Sequence, residues 1–385
     1  MTIIIILLLI IIAILGYDLW EEFFTWLGRI KIGQLSESEW RKKINGVLLK
    51  WLKKGAPEVM VNDNRKGNFI RKINDYGRIT SVMYWQDASL LKGANFIEDD
   101  IEPQVKSLIN RYIPSDDGEW KILPKRMDSA MLCFEILSSR YADPTALRPA
   151  MDFVAEMLKK SADKHGTIPY NEDIPEYRFV DTIGMTCPFL IKYALTYSEK
   201  EYIDIAMKQI KEYREHGIEE KIKIPFHCFK EGKYEPLGVC GWARGCAWWT
   251  IGLIDSLRTL IDAEGSNREK AELLKLSIES LEAIKAYVHE DGTVDRILLS
   301  HSVQDSSACA MLAYCYAYMG QLIKNDEYKN LAIKMREKLR SVTRRNGTVD
   351  FSQGDTHGIG FYSEKLCIVP AAQGFAIATN EILTK

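Results

Sequence analysis

No run of like charges longer than a few residues, no Cys-x-x-Cys pair and no set of ligands at metal spacing occurs in the sequence. The missing charge excess matters first. Lys and Arg total 51 against 53 Asp and Glu, a formal charge of −2, so the chain offers no basic field to nucleic acid. Without a charge block there is also no candidate disordered tail. The eight cysteines, unpaired by spacing, read as free and mostly buried thiols rather than a disulfide frame or a zinc site. No metal and no other cofactor is expected. Apolar material is ample: 46% hydrophobic and 10% aromatic residues can build one large core.

The first seventeen residues, MTIIIILLLIIIAILGY, lack charge altogether. At 1.5 Å per residue they span roughly 25 Å, a little under a ~30 Å hydrocarbon core. They also lack the basic n-region and small-x-small site of a secretory signal. The expectation is therefore an uncleaved, single-pass membrane anchor over 1–17, a juxtamembrane linker over 18–36 and a folded domain over 37–385. Arg29, Lys31, Arg41, Lys42 and Lys43 all follow the apolar stretch, which places that domain on the cytoplasmic side.

From residue 37 onward helical periodicity dominates. Ser36 and Glu39 have capping-box spacing and open a helix over 37–54. Apolar residues at i, i+3 and i+4 predict eleven more, over 78–95, 99–111, 126–140, 143–160, 181–197, 199–216, 245–260, 268–287, 304–320, 325–342 and 368–384. Glycine turns recur at Gly67, Gly118, Gly166, Gly232, Gly292 and Gly347, separated by 51, 48, 66, 60 and 55 residues, with the phrases HGTIPY, DGTVDR and NGTVDF repeating. Each interval accommodates one helical hairpin, which cannot bury its apolar face alone. The expected fold is all-α: a closed toroid of six helical hairpins behind one transmembrane helix.

In such a toroid each glycine turn leads into an inner helix, and the six inner amino termini meet at one mouth. Unpaired N–H groups there favour anions. Reading only those helix starts yields Tyr84 and Trp85, Asp128, Asp181, then Trp242, Arg244, Trp248 and Trp249, then Asp305 and Tyr362. Aromatic plates, one arginine and carboxylates suit a sugar acid, since Arg grips a carboxylate bidentately.

Four segments carry a family resemblance: GWARGCAWWTIGLIDSL, FVDTIGMTCPFLIKYA, RMDSAMLCFEIL and DSSACAMLAYCYA. The first contains Trp242-x-Arg244-Gly245-x-x-Trp248 and resembles the signature of the unsaturated glucuronyl and rhamnogalacturonyl hydrolases, glycoside hydrolase families 88 and 105. The similarity runs over about residues 40–384, and that family's fold is the six-hairpin toroid. The resemblance implies Asp181 as general acid/base and Asp128 as the second active-site aspartate. It implies His227, Trp242, Arg244 and Trp248 as substrate-binding residues, and Tyr84 joins them from its place at the mouth. The implied partner is an oligosaccharide ending in an unsaturated uronic acid. Protonation of its vinyl ether at C4 and addition of water at C5 would release the remaining sugar. Two positions depart from the pattern: Cys246-Ala247 replaces Asn-Gly, and Phe179 replaces a tryptophan. They leave open another glycan-active enzyme on the same toroid (a saturated-glycan hydrolase, lyase or epimerase) or a tethered, noncatalytic carbohydrate-binding protein. A helix amino terminus lowers a carboxyl pKa by less than one unit, so Asp128 and burial against Trp242 and Trp248 are expected to raise Asp181 instead.

Overall fold

The computed structural model describes residues 2–57, 59, 83–114, 117–163, 166–171, 173–263, 265–356 and 358–385. The expected Gly67 turn and residues 78–82 of the expected second helix lie outside them. An amino-terminal helix, α1 (Thr2–Arg29), precedes twelve others: α2 (Glu37–Lys54), α3 (Tyr84–Phe96), α4 (Glu102–Tyr112), α5 (Ser129–Leu137), α6 (Arg148–Ser161), α7 (Asp181–Tyr197), α8 (Glu201–His216), α9 (Ala243–Asp262), α10 (Asn267–Lys285), α11 (Ser306–Leu322), α12 (Asp326–Ser341) and α13 (Pro370–Leu383). α1 is the one helix among the described residues that is long and apolar enough to cross a membrane, and a signal sequence would share those properties.

Local sequence explains the boundaries. The Ser36 hydroxyl accepts from the Glu39 amide while Glu39 reaches back to the Ser36 amide, which fixes the start of α2. Asp305 accepts from the Ser307 amide at 2.9 Å and caps α11. Five expected glycine turns fall on described residues, and Gly118, Gly166, Gly232, Gly292 and Gly347 all have positive φ. At Gly118 a Cβ would also sit 1.8 Å from the Ala146 carbonyl oxygen.

Burial sorts the helices into two layers. α12 buries one stripe, Tyr328, Ala332, Met335 and Leu339, as an outer helix should. By contrast α13 is buried without interruption from Pro370 to Ile382. The inner helices α3, α5, α7, α9, α11 and α13 pack each against the next, and α13 returns to α3. The ring is closed.

Glycine makes the closing seam. A Cβ on Gly374 would lie 1.8 Å from the Ser89 carbonyl oxygen, and one on Gly93 would lie 2.7 Å from the Gly374 oxygen. Backbone stands on both sides, so neither helix can yield locally. Gly374→Ala should destabilise the domain by ~1–3 kcal/mol or more in urea denaturation. Gly46→Ala, on α2 with nothing within 4 Å of the added carbon, should instead stabilise it by about 0.5–1 kcal/mol.

The all-α expectation needs one correction. Strands β1 (Tyr177–Phe179), β2 (Cys228–Lys230) and β3 (Glu235–Leu237) form an antiparallel sheet in that order, and β4 (Ser352–Gln353) pairs with β5 (Leu366–Cys367). Strands of two or three residues are too short to show a period of two. They matter nonetheless, because Phe179 pairs with Cys228 and thereby brings His227 beside the start of α7.

Candidate active site

Asp181 is the first residue of α7 and 7% exposed. The Val180 amide donates to the His227 carbonyl at 3.0 Å, which sets His227 Nε2 at 3.8 Å from Asp181 Oδ2. That oxygen is buried and accepts no hydrogen bond from the described residues. Burial pushes the Asp181 carboxyl up to about 7, with Arg244 pulling it down and Asp355 adding to the rise. The group therefore holds its proton near neutrality and can still release it.

His227 is nearly sealed, at 2% exposure. Burial, followed by the Arg244 charge, pushes it down to about 3, so the imidazole is neutral. Its Nδ1 is 2.9 Å from the Tyr362 hydroxyl, which also accepts from the Val239 amide at 2.9 Å. If the hydroxyl hydrogen goes to Nδ1, the ring proton sits on Nε2 and faces Asp181. Phe179 meets the ring edge-on at 5.2 Å, and Trp242 lies 4.6 Å away.

Arg244 enters the mouth from the first turn of α9 and is 1% exposed. Its Nη1 donates to the Gln353 carbonyl at 2.8 Å and the Ser307 hydroxyl at 3.3 Å, and Nη2 donates to the Gly354 carbonyl at 2.8 Å. Three of five N–H groups are thereby committed to orienting the fork. The guanidinium stands over Trp242 at 5.3 Å and Trp85 at 5.9 Å. Trp242 donates to Gln353 Oε1 at 2.9 Å, and the Gln353 amide donates to Asp305. One short segment, 353–355, thus holds Trp242 and Arg244 and supplies Asp355, 4.0 Å from Arg244 Nη2.

Asp128 lies one residue before α5 and is 1% exposed. Arg126 Nε is 3.2 Å from its Oδ1, and the Trp85 amide is 3.5 Å from its Oδ2. Burial raises its pKa, opposed by Arg126. Asp128, Asp181, Asp355 and Arg126 all act on the Tyr170 hydroxyl, whose pKa burial drives upward. Both aspartates therefore lie within electrostatic reach of Tyr170.

The structure brings Asp181, His227, Trp242 and Arg244 together, and Asp128 stands near them at the Trp85 amide. Trp248 stands behind the mouth, edge-on to Trp85 at 5.8 Å. The Tyr84 ring packs on Tyr112 at 5.6 Å and Trp120 at 5.8 Å, on the Asp128 side of the mouth. Burial and then the Asp128 charge push its hydroxyl up to about 12. The carboxylate that acts on Asp181 is Asp355 rather than Asp128. Asp128 is neutralised locally by Arg126 instead.

Residues 100–369 match the model of Glycosyl Hydrolase Family 88. The chain belongs to that family. No curated protein matches it in sequence. Among solved structures similar to this family 88 member is a possible family 105 member from Klebsiella pneumoniae subsp. pneumoniae MGH 78578, with TM-score 0.74, 18% identity and coverage of 91% of this chain and 94% of that one. An unsaturated glucuronyl hydrolase specific for heparin gives TM-score 0.65 at 13% identity, covering 90% and 97%. The unsaturated glucuronyl hydrolase of Bacillus sp. GL1 gives 0.63 at 17% identity, covering 89% and 96%. These similarities establish a shared fold.

For a family 88 chain, Asp355, Gln353, Tyr170 and Arg126 were the residues that helix-start reading missed. Arg126, Tyr170 and Asp355 stand on loops, and Gln353 ends the two-residue strand β4, too short for a period to show. The only available signal was the glycine-rich stretch QGDTHGIG ahead of α13. Among the described residues, no group of three or more His, Cys, Asp or Glu side chains is placed to hold a metal ion.

Proposed function

We propose that the enzyme removes the 4,5-unsaturated uronate from the non-reducing end of lyase-generated oligosaccharides, with Asp181 as general acid and base. The observation that carries this reading is the Asp181 carboxyl: buried, with a bare Oδ2, raised to about 7 and facing neutral His227. Asp181 delivers its proton to C4 of the vinyl ether, leaving an oxocarbenium-like C5. Ionised Asp181 then takes a proton from the water that adds at C5. The hemiketal opens to a C5 ketone, and the C1 hemiacetal left behind expels the aglycone as an alcohol. One water is consumed, and the acid ends protonated as it began. A single carboxyl suffices, so the spacing rules for paired glycosidase carboxylates do not apply. Arg244 holds the uronate carboxylate with the N–H groups left over from its own anchoring, and Trp242 and His227 line the sugar. The glucuronyl hydrolases that share the fold support this substrate class.

Incubation with lyase-generated disaccharides, followed by loss of the ultraviolet absorbance of the conjugated double bond, tests the assignment. Absorbance that persists while saturated oligosaccharides are cleaved would transfer the site to ordinary glycoside hydrolysis. A quieter test addresses the electrostatics. Asp355 raises Asp181, so Asp355→Asn should lower the pKa of Asp181 and move the alkaline limb of the kcat profile down by a fraction of a pH unit. Asp128→Asn should leave that limb in place.

We also infer that residues 1–17 anchor the enzyme in a membrane, as expected from their uncharged run, with the domain on the side of Arg29 and Lys31. Carbonate washing of membranes decides this: an anchored chain stays in the pellet, and a chain processed at a signal site is released.

A further inference from the structure

Beyond residue 30, eight large hydrophobic side chains are exposed among the described residues. Six of them, Ile122, Leu123, Tyr234, Leu299, Val303 and Phe361, stand on loops leading into inner-ring helices, at the barrel end that holds Asp181. The other two, Ile261 and Ile333, belong to the ends and flanks of helices α9 and α12.

Helix α1 is fastened to that same end. Its last residue, Arg29, donates to both carboxylate oxygens of Asp350 at 2.9 and 3.0 Å and to the Leu366 carbonyl at 2.8 Å. Arg344 binds Asp350 Oδ2 at 2.7 Å, and the Arg29 guanidinium lies 4.4 Å from the Phe351 ring centre. Asp350 is wholly buried and only three residues from Gln353, whose carbonyl holds Arg244. The helix therefore ends on the segment that builds the mouth.

Trp20, Phe23, Phe24 and Trp26 are exposed on the last turns of α1, the aromatic complement of a bilayer interface. From Trp26 to Arg29 the helix rises about 4.5 Å. A bilayer whose interface holds those aromatics is therefore adjacent to the rim. The rim has matching chemistry. Ile122 and Leu123, 74% and 56% exposed, stand between exposed Lys121 and Lys125. An apolar tip can enter the headgroup layer while its flanking cations meet anionic lipid. Phe361, 72% exposed, precedes Tyr362, the residue that orients His227.

We propose that the barrel mouth faces the bilayer, with Ile122, Leu123 and Phe361 seated in an anionic headgroup layer, so that substrate enters from the membrane-apposed side. This rests on the reading of residues 1–17 as an anchor. The test is photo-crosslinking of the full chain in nanodiscs containing anionic phospholipid. The variants are Trp26→p-benzoylphenylalanine, Leu123→p-benzoylphenylalanine, Phe361→p-benzoylphenylalanine and Ile333→p-benzoylphenylalanine. Ile122→p-benzoylphenylalanine duplicates the rim loop should the Leu123 variant fail to fold. Lipid adducts at positions 26, 123 and 361, several-fold above those at 333, are expected. Adducts at 26 with rim positions no higher than 333 would overturn the proposal and leave the anchor intact. Absence of adducts at 26 would remove the anchor itself, and the proposal with it.

Discussion

Asp181→Asn should lower turnover of an unsaturated disaccharide by ~10²–10⁴-fold, the contribution of a positioned proton donor, and at the same time make the protein more stable above pH 7. The two effects share one cause. Burial raises the folded-state pKa of Asp181 from its ordinary 3.8 to about 7. Below pH 4 the group is protonated in folded and unfolded chains alike and contributes nothing. Between pH 4 and 7 the unfolded chain releases the proton while the folded chain keeps it, so folding stability falls as pH rises. Above pH 7 both states are ionised, and the cost levels off. At 1.36 kcal/mol per unit, the ceiling is roughly 4 kcal/mol. Asparagine carries no such charge. Thermal melts of Asp181→Asn and the parent should therefore coincide near pH 4 and separate progressively up to pH 7. A variant that loses turnover without gaining stability at pH 8 would show that Asp181 is not a strained, buried acid. Retention of near-full turnover would remove it from proton transfer.

Helix starts were the legible part of this molecule, because caps and apolar periodicity are local. The sequence places α2 at 37–54 and α7 at 181–197, and the structure agrees at both ends of each. The site residues read from helix starts, Asp181, Trp242 and Arg244, converge because six parallel inner helices bring their first turns to one mouth. Position fixed Tyr84 at the start of α3 but not its ring neighbours, Tyr112 and Trp120, since no spacing rule specifies a rotamer. The expected 126–140 helix shortened to 129–137. Residues 126–128 are drawn off instead into a turn that pairs Arg126 with Asp128. The largest gap is 352–355. Nothing periodic marks that segment, yet it orients Arg244 and contributes Asp355, contacts made more than a hundred residues apart in sequence. Long-range pairing of this kind has no local signature.

Removing one lysine from the centre of the ring should cost about 3–5 kcal/mol, the penalty for breaking a buried ion pair from one side. Lys92 on α3 is wholly buried, with Nζ 2.6 Å from Glu135 on α5 and 2.8 Å from Asp255 on α9. The Tyr314 hydroxyl of α11 donates to Asp255 at 2.5 Å, and Arg258 Nε lies 3.6 Å from the same residue. Four inner helices thus meet through one charge network below the mouth. Lys92→Met keeps the stem's volume but removes the cation shared by two carboxylates. Asp255 retains Arg258 and Tyr314, whereas Glu135 keeps the neutral Asn95 amide at 3.0 Å, so Glu135 bears most of the cost. Burial already pushes the Glu135 carboxyl up, and Lys92 is the main charge opposing that shift. Without it Glu135 takes up a proton more readily, so the destabilisation seen in urea at pH 8 should shrink as pH falls toward 5. Glu135→Gln should rescue part of the loss at pH 8, giving a positive coupling in the double-mutant cycle. Additive losses at pH 8 would mean that Lys92 acts through its ammonium over the Phe134, Tyr314 and Phe375 rings or through Asp255 rather than through Glu135.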